Sequence, residues 1–520
     1  MKKFTFAVII SLLLVLAIWG TGLAALPGLD WWSALQIQNI SETPGSVSME
    51  AYDMGTTAPI ASDLFNFDPA KALVYDPGKS PNYPGGNVIG FQSSLPSGFE
   101  GSVVISASVP SASVSQLANY SNGSVGGAGK ASAMYPGVSS EMLAQELLAP
   151  TIKHNYSGAT TSMYIQAAGA EADVTVVYTM ADGGVYVVNQ TIAANRSFMF
   201  DPAGAGIPST GCGFDTMTSP CYGSAIITAD APIAGVLVEH AHSGTPATFV
   251  QAIRLSTSQD MSEVIYVPSV KNKFCGSSGC GVAGAAVMNV GSSPADVTIT
   301  LTVTKLGNNA PSGVSKGDVY IDNATIPAGE NYNFSKWNNN LGGLPEGTMA
   351  AAVIECTNGQ PLVGSSNDAK TQGSFPGQAK VKYSAFPDAL ATPLAYAPMV
   401  KEMYGIFTGG ATVQNVGENP DYIIIEYHEY GTGEVCAMVT KDPVPVGGAA
   451  ETNWVSVNGS TQFDITYGDC GSFGWLSGKQ FSIRAYTDGG EDIVLMVTEN
   501  TPGSTHDISR YEGVNVDPIP

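Results

Sequence analysis

Two histidines one residue apart, His240 and His242, are the first candidates for chemistry, because alternate residues of a strand share a face. Two such imidazoles can share a metal ion, but no third ligand stands at a telling spacing, and surface or packing histidines are the plainer reading. His154 falls in a linker, His428 on an expected strand and His506 near the end. A nucleophile needs a base within hydrogen-bond reach, and no serine or cysteine pattern points to one of these rings. H-E-x-x-H, phosphate-loop and EF-hand patterns do not occur. No catalytic, cofactor-binding or metal-ligating residue is therefore named, and the chain reads as a non-enzyme. Calcium is the one cation that acidic loops such as Glu491-Asp492 would suit, although turns rich in Asp and Gly look the same.

Covalent chemistry is better marked. Cys212 with Cys221, Cys275 with Cys280, and Cys436 with Cys470 form three pairs that are close in sequence, and Cys356 is left over as a buried thiol. Disulfides rather than zinc are expected if the chain is exported. The span from a recurring lysine to a recurring landmark is four residues longer at Lys271–Asn289 than at Lys153–Ala167 or Lys401–Asn415. The excess falls on Cys275-Gly-Ser-Ser-Gly-Cys280, which reads as a stapled hairpin tip. Trp31-Trp32 suits either a sugar-stacking platform or a core, and core or interdomain packing is preferred. Asn-x-Ser/Thr sequons, among them Asn119, Asn122, Asn195 and Asn323, matter only in a host that glycosylates them.

These residues sit on a framework that is written four times. LQIQNISETPGSVSMEAYD begins at Leu35, MYIQAAGAEADVTVVYT at Met163, AVMNVGSSPADVTITLTVT at Ala286 and TVQNVGENPDYIIIEYHEY at Thr412. The landmarks Asn39, Ala167, Asn289 and Asn415 are 128, 122 and 126 residues apart, the length of a whole small β-domain rather than a solenoid unit. After each landmark comes a turn and then alternation. Val297, Ile299, Leu301 and Val303 face one way and Thr298, Thr300, Thr302 and Thr304 the other, which is a strand with one buried face. Val47, Met49 and Ala51, then Val174, Val176 and Tyr178, then Ile423, Ile425 and Tyr427 repeat the pattern, with Tyr422 and Ile424 giving repeat 4 a second apolar face. Some 6–8 strands per repeat are expected, the complement of a β-sandwich.

The expected fold is all-β: four tandem antiparallel Ig-like sandwiches over residues 26–125, 145–256, 262–370 and 390–515, after a signal peptide at 1–25. Lys2 and Lys3, an apolar stretch from Phe6 to Ala17 and small residues at Gly22 and Ala24 carry that last reading, and an uncleaved membrane anchor is its rival. Successive repeats are joined by a shared phrase, Pro150-Thr-Ile-Lys153, Pro268-Ser-Val-Lys271 and Pro398-Met-Val-Lys401, taken here as joints that set the angles of a rod. Residues 139–149 would pass for a capped helix, but the counterparts of this stretch look extended, so a strand is expected. The glycine-rich run Ser121–Gly129 is a connector.

A content of 44% apolar and only 12% charged residues excludes disorder, and the net charge of −23 repels nucleic acid and anionic lipid. The grammar of landmark, Pro294-Ala295-Asp296-type turn, alternation and late apolar run resembles uncharacterised bacterial cell-envelope proteins built from tandem Ig-like sandwiches. That resemblance implies an extracellular or cell-surface location and carries no catalytic residue across. Function is expected to be structural: a component or decoration of a layer, filament or sheath, with self-assembly or cell-surface polymers as partners, no nucleic acid, and membrane contact only through an uncleaved signal segment. The alternative is an adhesin or carbohydrate-binding module whose variable loops at 54–95, 201–222 and 305–345 read extracellular glycans.

Overall fold

A computed structural model of the chain describes residues 15–16, 31–54, 58–69, 72–75, 88–89, 95, 99–119, 131–212, 218–242, 249–276, 279–372, 375–404, 407–430, 434–452, 463–467, 478–500 and 508–516. Regular structure there is β-strand, interrupted only by single 3-10 turns. Every ladder is antiparallel except the short pairing of Val74–Tyr75 with Val88–Ile89. The Ser121–Gly129 connector and most of residues 1–25 lie outside the described residues. Val15 and Leu16 are described, and pair with Gly101 and Glu100.

Repeat 3 shows the plan. Its eight main strands are, in order, Val264–Gly276, Gly279–Asn289, Ala295–Leu306, Val319–Ile326, Asn331–Phe334, Thr348–Cys356, Leu362–Gln372 and Phe375–Ser384. The hydrogen-bonded path runs fourth–third–sixth–first, turns through the first–second hairpin, and continues second–seventh–eighth, with the fifth strand on the second. Apolar side chains from both halves meet between them: Val267, Val287, Ile299, Leu301, Phe334, Ala352 and Ile354 belong to one buried cluster. Burial of each such large aliphatic is worth about 1.5–3 kcal/mol, which selects the register that turns Val297, Ile299, Leu301 and Val303 inward. The matching third strands bury Val47, Met49 and Ala51, then Val174, Val176 and Tyr178, then Ile423, Ile425 and Tyr427. The protein is thus all-β and sandwich-like, and no ladder among the described residues crosses from one repeat to another.

The landmark asparagine has a local task. Asn289 is fully buried, gives its amide to Ser293 O and Ile326 O at 2.8 Å each, and accepts Gly291 N at 2.9 Å. It closes the turn that follows and ties it to the end of the fourth strand. Asn39 and Asn415 make the corresponding bonds. Repeat 2 has Ala167 there, and the vacated acceptor role passes to Asn195, whose Oδ1 takes Gly169 N at 2.8 Å from the opposite turn. Asn195 holds the left-handed conformation, φ 61°, that Gly329 and Gly447 adopt in the neighbouring repeats.

The shared proline phrase is not a joint. Pro150, Pro268 and Pro398 each sit inside a long first strand, Ala144–Tyr156, Val264–Gly276 and Leu394–Tyr404, where the register shifts. A bulge is where a strand tolerates the missing N–H, and it lets the first strand pass from one half-sheet to the other. The Tyr383 and Tyr511 hydroxyls cap two of these bulges, accepting Ser269 N at 3.1 Å and Met399 N at 2.9 Å. The stretch before Pro150 is extended from Ala144, after one 3-10 turn at Ser140–Met142.

Nor do the repeats string out as a rod. Their last strands, Ala131–Pro136, Val250–Arg254, Phe375–Ser384 and Ile508–Glu512, pack first on second, second on third, third on fourth, and fourth back on first. Four repeats therefore close around one axis. Two of the interfaces share a pattern: Ser102 Oγ bonds Asn195 O, and Ser224 Oγ bonds Gly329 O, both at 3.0 Å, so repeats 1 and 2 grip the same turn of the next repeat. Closure from repeat 4 to repeat 1 uses Tyr430 OH on Gln36 Oε1 at 2.8 Å, and Val114 and Met134 buried in the repeat 4 core. Trp31 is buried where repeat 1 meets repeat 2, among Tyr135, Tyr164 and Val236.

Candidate functional site

Around the axis runs a belt of buried charge. The seventh-strand acid of repeat 2, Glu239, is fully buried and meets Lys153 of the shared phrase at 2.8 Å and Lys382 of repeat 3 at 3.3 Å. In repeat 3, Asp368 meets Lys271 at 2.5 Å and Arg510 of repeat 4 at 2.6 Å. In repeat 4, Glu499 meets Lys401 at 3.2 Å, and Gln116 of repeat 1 bridges both, accepting from Lys401 at 2.8 Å and donating to Glu499 at 3.3 Å. The rule is one acid held by its own repeat's lysine and by a polar group from the next repeat. Repeat 1 lacks the Pro-x-x-Lys phrase and carries the apolar Leu117 at the register position of the three acids, while its Gln116, one residue earlier, serves the node of repeat 4. Arg254 and Asp260 form a further buried pair at 2.6 Å, and Ser384 N donates to Glu512 near it.

Electrostatics in the belt are set by burial against pairing. Burial works against the Glu239 carboxylate, but Lys153, Lys382 and Lys380 outweigh it and hold its pKa far below the ordinary range. Burial pushes Lys382 down to about 8 despite Glu239, with Lys153 and Lys380 adding repulsion. Lys271 is lowered by burial and by Arg510, whereas Asp368 is lowered because Arg510 and Lys271 overcome its burial. Glu512 goes the other way, raised by burial beyond what Ser384 offsets. These groups are paired and largely shut from solvent, although Glu499 Oε2 is buried without a hydrogen-bond partner, and they tie the repeats together.

A second charged cluster is open. On the outer sheet of repeat 4, Glu426 accepts Tyr486 OH at 3.0 Å and lies 3.2 Å from His428 Nε2 and 3.5 Å from Arg484. Burial alone would raise the Glu426 pKa, yet the contacts with His428 and Arg484 hold it below normal. Arg484 stacks over the Tyr486 ring at 5.0 Å. Glu426, His428 and Tyr486, with Tyr422, Ile424 and Val439, line a shallow groove of about 830 Å³. The corresponding positions of repeats 2 and 3 carry Thr175, Val177 and Thr179, and Thr298, Thr300 and Thr302. Repeat 3 has a smaller cleft of about 270 Å³ on the same face, lined by Thr298, Asn323 and Thr325, without the aromatic side chains. Chemically the repeat 4 groove offers aromatic faces beside a fixed carboxylate and an imidazole.

Of the residues named from sequence, Cys212–Cys221 and Cys275–Cys280 are disulfides, and Cys356 is a buried free thiol. Cys436 is disulfide-bonded as well, while Cys470 lies outside the described residues. Such bonds fit an oxidising, non-cytoplasmic compartment. His242 hydrogen-bonds Thr160 at 2.7 Å and lies 5.4 Å, ring to ring, from His154, a meeting that spacing did not suggest. His240 faces Ser162 at 3.3 Å. Among the described residues no group of three or more His, Cys, Asp or Glu could hold a metal. Glu491 is occupied by Glu418 N, Asn419 N and the Asn419 amide at 2.6–3.0 Å, as the brace of a turn. The belt itself was missed, although one signal for it existed: the three repeats with the recurring lysine each have an acid near the end of their last apolar run, and the repeat without it has no acid there.

No helix of the described residues is long and apolar enough to cross a membrane. No protein-family model matches the chain, and no curated protein does. Among solved structures it is similar to the crystal structure of Thermotoga maritima 1070, at 16% identity and a TM-score of 0.17, over 22% of this chain and 92% of that one.

Proposed function

We propose that the protein is an exported, non-enzymatic component of the cell exterior, in which four Ig-like sandwich domains form a rigid closed block that builds or decorates the envelope. The reading is of the bacterial tandem-sandwich kind, and it needs no cofactor. The observation that carries it is the belt: at each of its three ion-pair nodes an acid is bridged by a cation of its own repeat and a polar group of the next. Buried charge that is paired fixes one arrangement of neighbours, which suits a building block. Disulfides and an acidic, strand-rich chain with few cations agree with life outside the cytoplasm. The test is antibody labelling and protease shaving of intact cells. Signal on the outer face of unpermeabilised cells is the expected result, and labelling only after lysis overturns the proposal.

The groove favours a second reading, an adhesive or carbohydrate-binding role. Tyr422 and Tyr486 beside Glu426 and His428 have the mixed aromatic and polar character that sugar rings require. Trp337 is 70% exposed in the 3-10 turn Lys336–Asn338, although the expected 305–345 loop contains two strands. A glycan array on the wild-type chain and on Tyr486→Ala separates the readings. Selective binding lost in Tyr486→Ala supports recognition, and an array without selective signal leaves the structural role.

A further inference from the structure

Two of the chain's nine Asn-x-Ser/Thr triplets occupy one position of the repeat. Asn189-Gln-Thr191 lies on Val185–Ile192 and Asn323-Ala-Thr325 on Val319–Ile326, the fourth strands of repeats 2 and 3. Asparagine and threonine both stand on the exposed side of their strand, because alternate residues share a face. The preceding strand supplies the same partners in both repeats. Thr175 lies opposite Asn189 and Thr298 opposite Asn323, and each gives its hydroxyl to the amide Oδ1, at 2.7 Å and 2.8 Å. Thr191 and Thr325 donate in turn to Asp173 and Asp296, at 2.6 Å and 2.9 Å. With Oδ1 tied to the sheet, each Nδ2 is left on an exposed side chain without a hydrogen bond to the described residues.

The fold sets these two apart from the other described triplets. Asn39 is fully buried and gives its amide to Thr43 O and Phe67 O. Asn155 gives its amide to Ser209 O at 2.9 Å, and Asn195 bonds Gly169 N and Tyr52. Asn333 has its Oδ1 buried, and the serine of its triplet, Ser335, caps the 3-10 turn Lys336–Asn338. The side chains of Asn119, Asn122 and Asn458 lie outside the described residues. Repeats 1 and 4 carry Leu64 and Val439 at the shared position, opposite Ser48 and Ile424.

What lies beside each amide is a second, independent observation. Val185 and Val187 are 60% and 55% exposed, and Val319 and Ile321 are 54% and 55% exposed, all on the face of the asparagine. A strand rises about 3.3 Å per residue, so Val187 and Ile321 stand about 7 Å from the asparagine, within the span of a short sugar chain. Sugar rings present C–H faces as well as hydroxyls, and a glycan lying back along the strand takes this apolar stripe out of water.

We infer that Asn189 and Asn323 are acceptors of N-linked glycans. In the transfer, Nδ2 bonds to the anomeric carbon of an oligosaccharide carried on a lipid diphosphate. The bond from that carbon to the diphosphate oxygen breaks, the lipid diphosphate leaves with the electron pair, and Nδ2 gives up one proton. Donor and transferase belong to the exporting cell. The inference rests on the exported reading above and adds a covalent coat to the outer face of repeats 2 and 3.

The experiment is intact-mass and peptide-level mass spectrometry of the full chain purified from its own cells. Peptides holding Asn189 and Asn323 are expected to carry sugar on the asparagine, and those holding Asn39 and Asn155 to be bare. Asn189→Gln should lower the intact mass by one glycan, and Asn189→Gln with Asn323→Gln by two, with unchanged circular dichroism. Thr191→Val keeps the amide and should lose the Asn189 glycan, whereas Thr191→Ser should keep it. Bare Asn189 and Asn323 in protein recovered from the cell exterior overturn the inference and leave the surface role standing. Sugar on Asn39 or Asn155 in their place overturns the choice of sites. Protein found only in the cytoplasm, with both asparagines bare, overturns the inference and the surface role together.

Discussion

Removing either partner of the Glu239–Lys382 contact should have opposite effects, although both side chains are fully buried. The site holds one carboxylate between Lys153 and Lys382, with Lys380 close enough to add repulsion. A lysine held at about 8 instead of its ordinary 10.5 gives up about 3 kcal/mol in its charged form. Lys382→Met keeps the volume and leaves Lys153 and Glu239 as a balanced pair at 2.8 Å, so it should be neutral or stabilise by about 1–3 kcal/mol. Glu239→Gln strands two buried ammonium groups and should cost about 3–5 kcal/mol. The pH dependence supplies an independent check. Between about pH 8 and pH 10.5 the unfolded chain holds the Lys382 proton and the folded chain does not, so stability rises with pH in that window. Lys380, also held at about 8, contributes in the same direction, so Lys382→Met should remove only its own share of the rise. Glu239 acts at the other end: its lowered pKa gives stability that is present above about pH 4.5 and is lost on acidification. Urea unfolding of wild type and both variants across a pH series measures all of this. Buried tyrosines such as Tyr178, Tyr222 and Tyr383, whose pKa is raised by burial, take stability away as unfolded phenols ionise, so the check is the difference between profiles. A Glu239→Gln protein as stable as wild type, or a wild-type profile no steeper upward than that of Lys382→Met between pH 8 and 10, would refute the reasoning.

Two further outcomes can be checked by denaturation. Asn289→Ala removes three hydrogen bonds from a buried turn and should cost about 2–4 kcal/mol, whereas exposed Asn323→Ala should change stability by less than about 0.5 kcal/mol. Cys212→Ser with Cys221→Ser opens a loop of sequence separation 9 and should cost about 2–3 kcal/mol at 25 °C on the chain-entropy account, measured against wild type without reductant.

Much of the secondary structure was legible because strand formation is governed by alternation that a sequence displays directly. Val297, Ile299 and Leu301 announce their inward face, and the four landmarks announce that one plan is used four times. The nearness of Cys212 to Cys221 and of Cys275 to Cys280 made their pairing readable, since short loops bring thiols together at little entropic cost. What could not be read was which surfaces of the copies meet. Pro150, Pro268 and Pro398 look like hinges in one dimension, yet they occupy bulges within long strands, because only the sheet shows where a missing N–H is harmless. Lys153 and Lys382 lie 229 residues apart and share Glu239 solely because the last strands pack around one axis. Periodicity is a property of neighbours along the chain, and a belt of buried ion pairs that links repeats is a property of neighbours in space. The amino-acid order therefore determined the β-repeat and its inward faces, and tertiary packing alone decided that four repeats form a locked block instead of a rod.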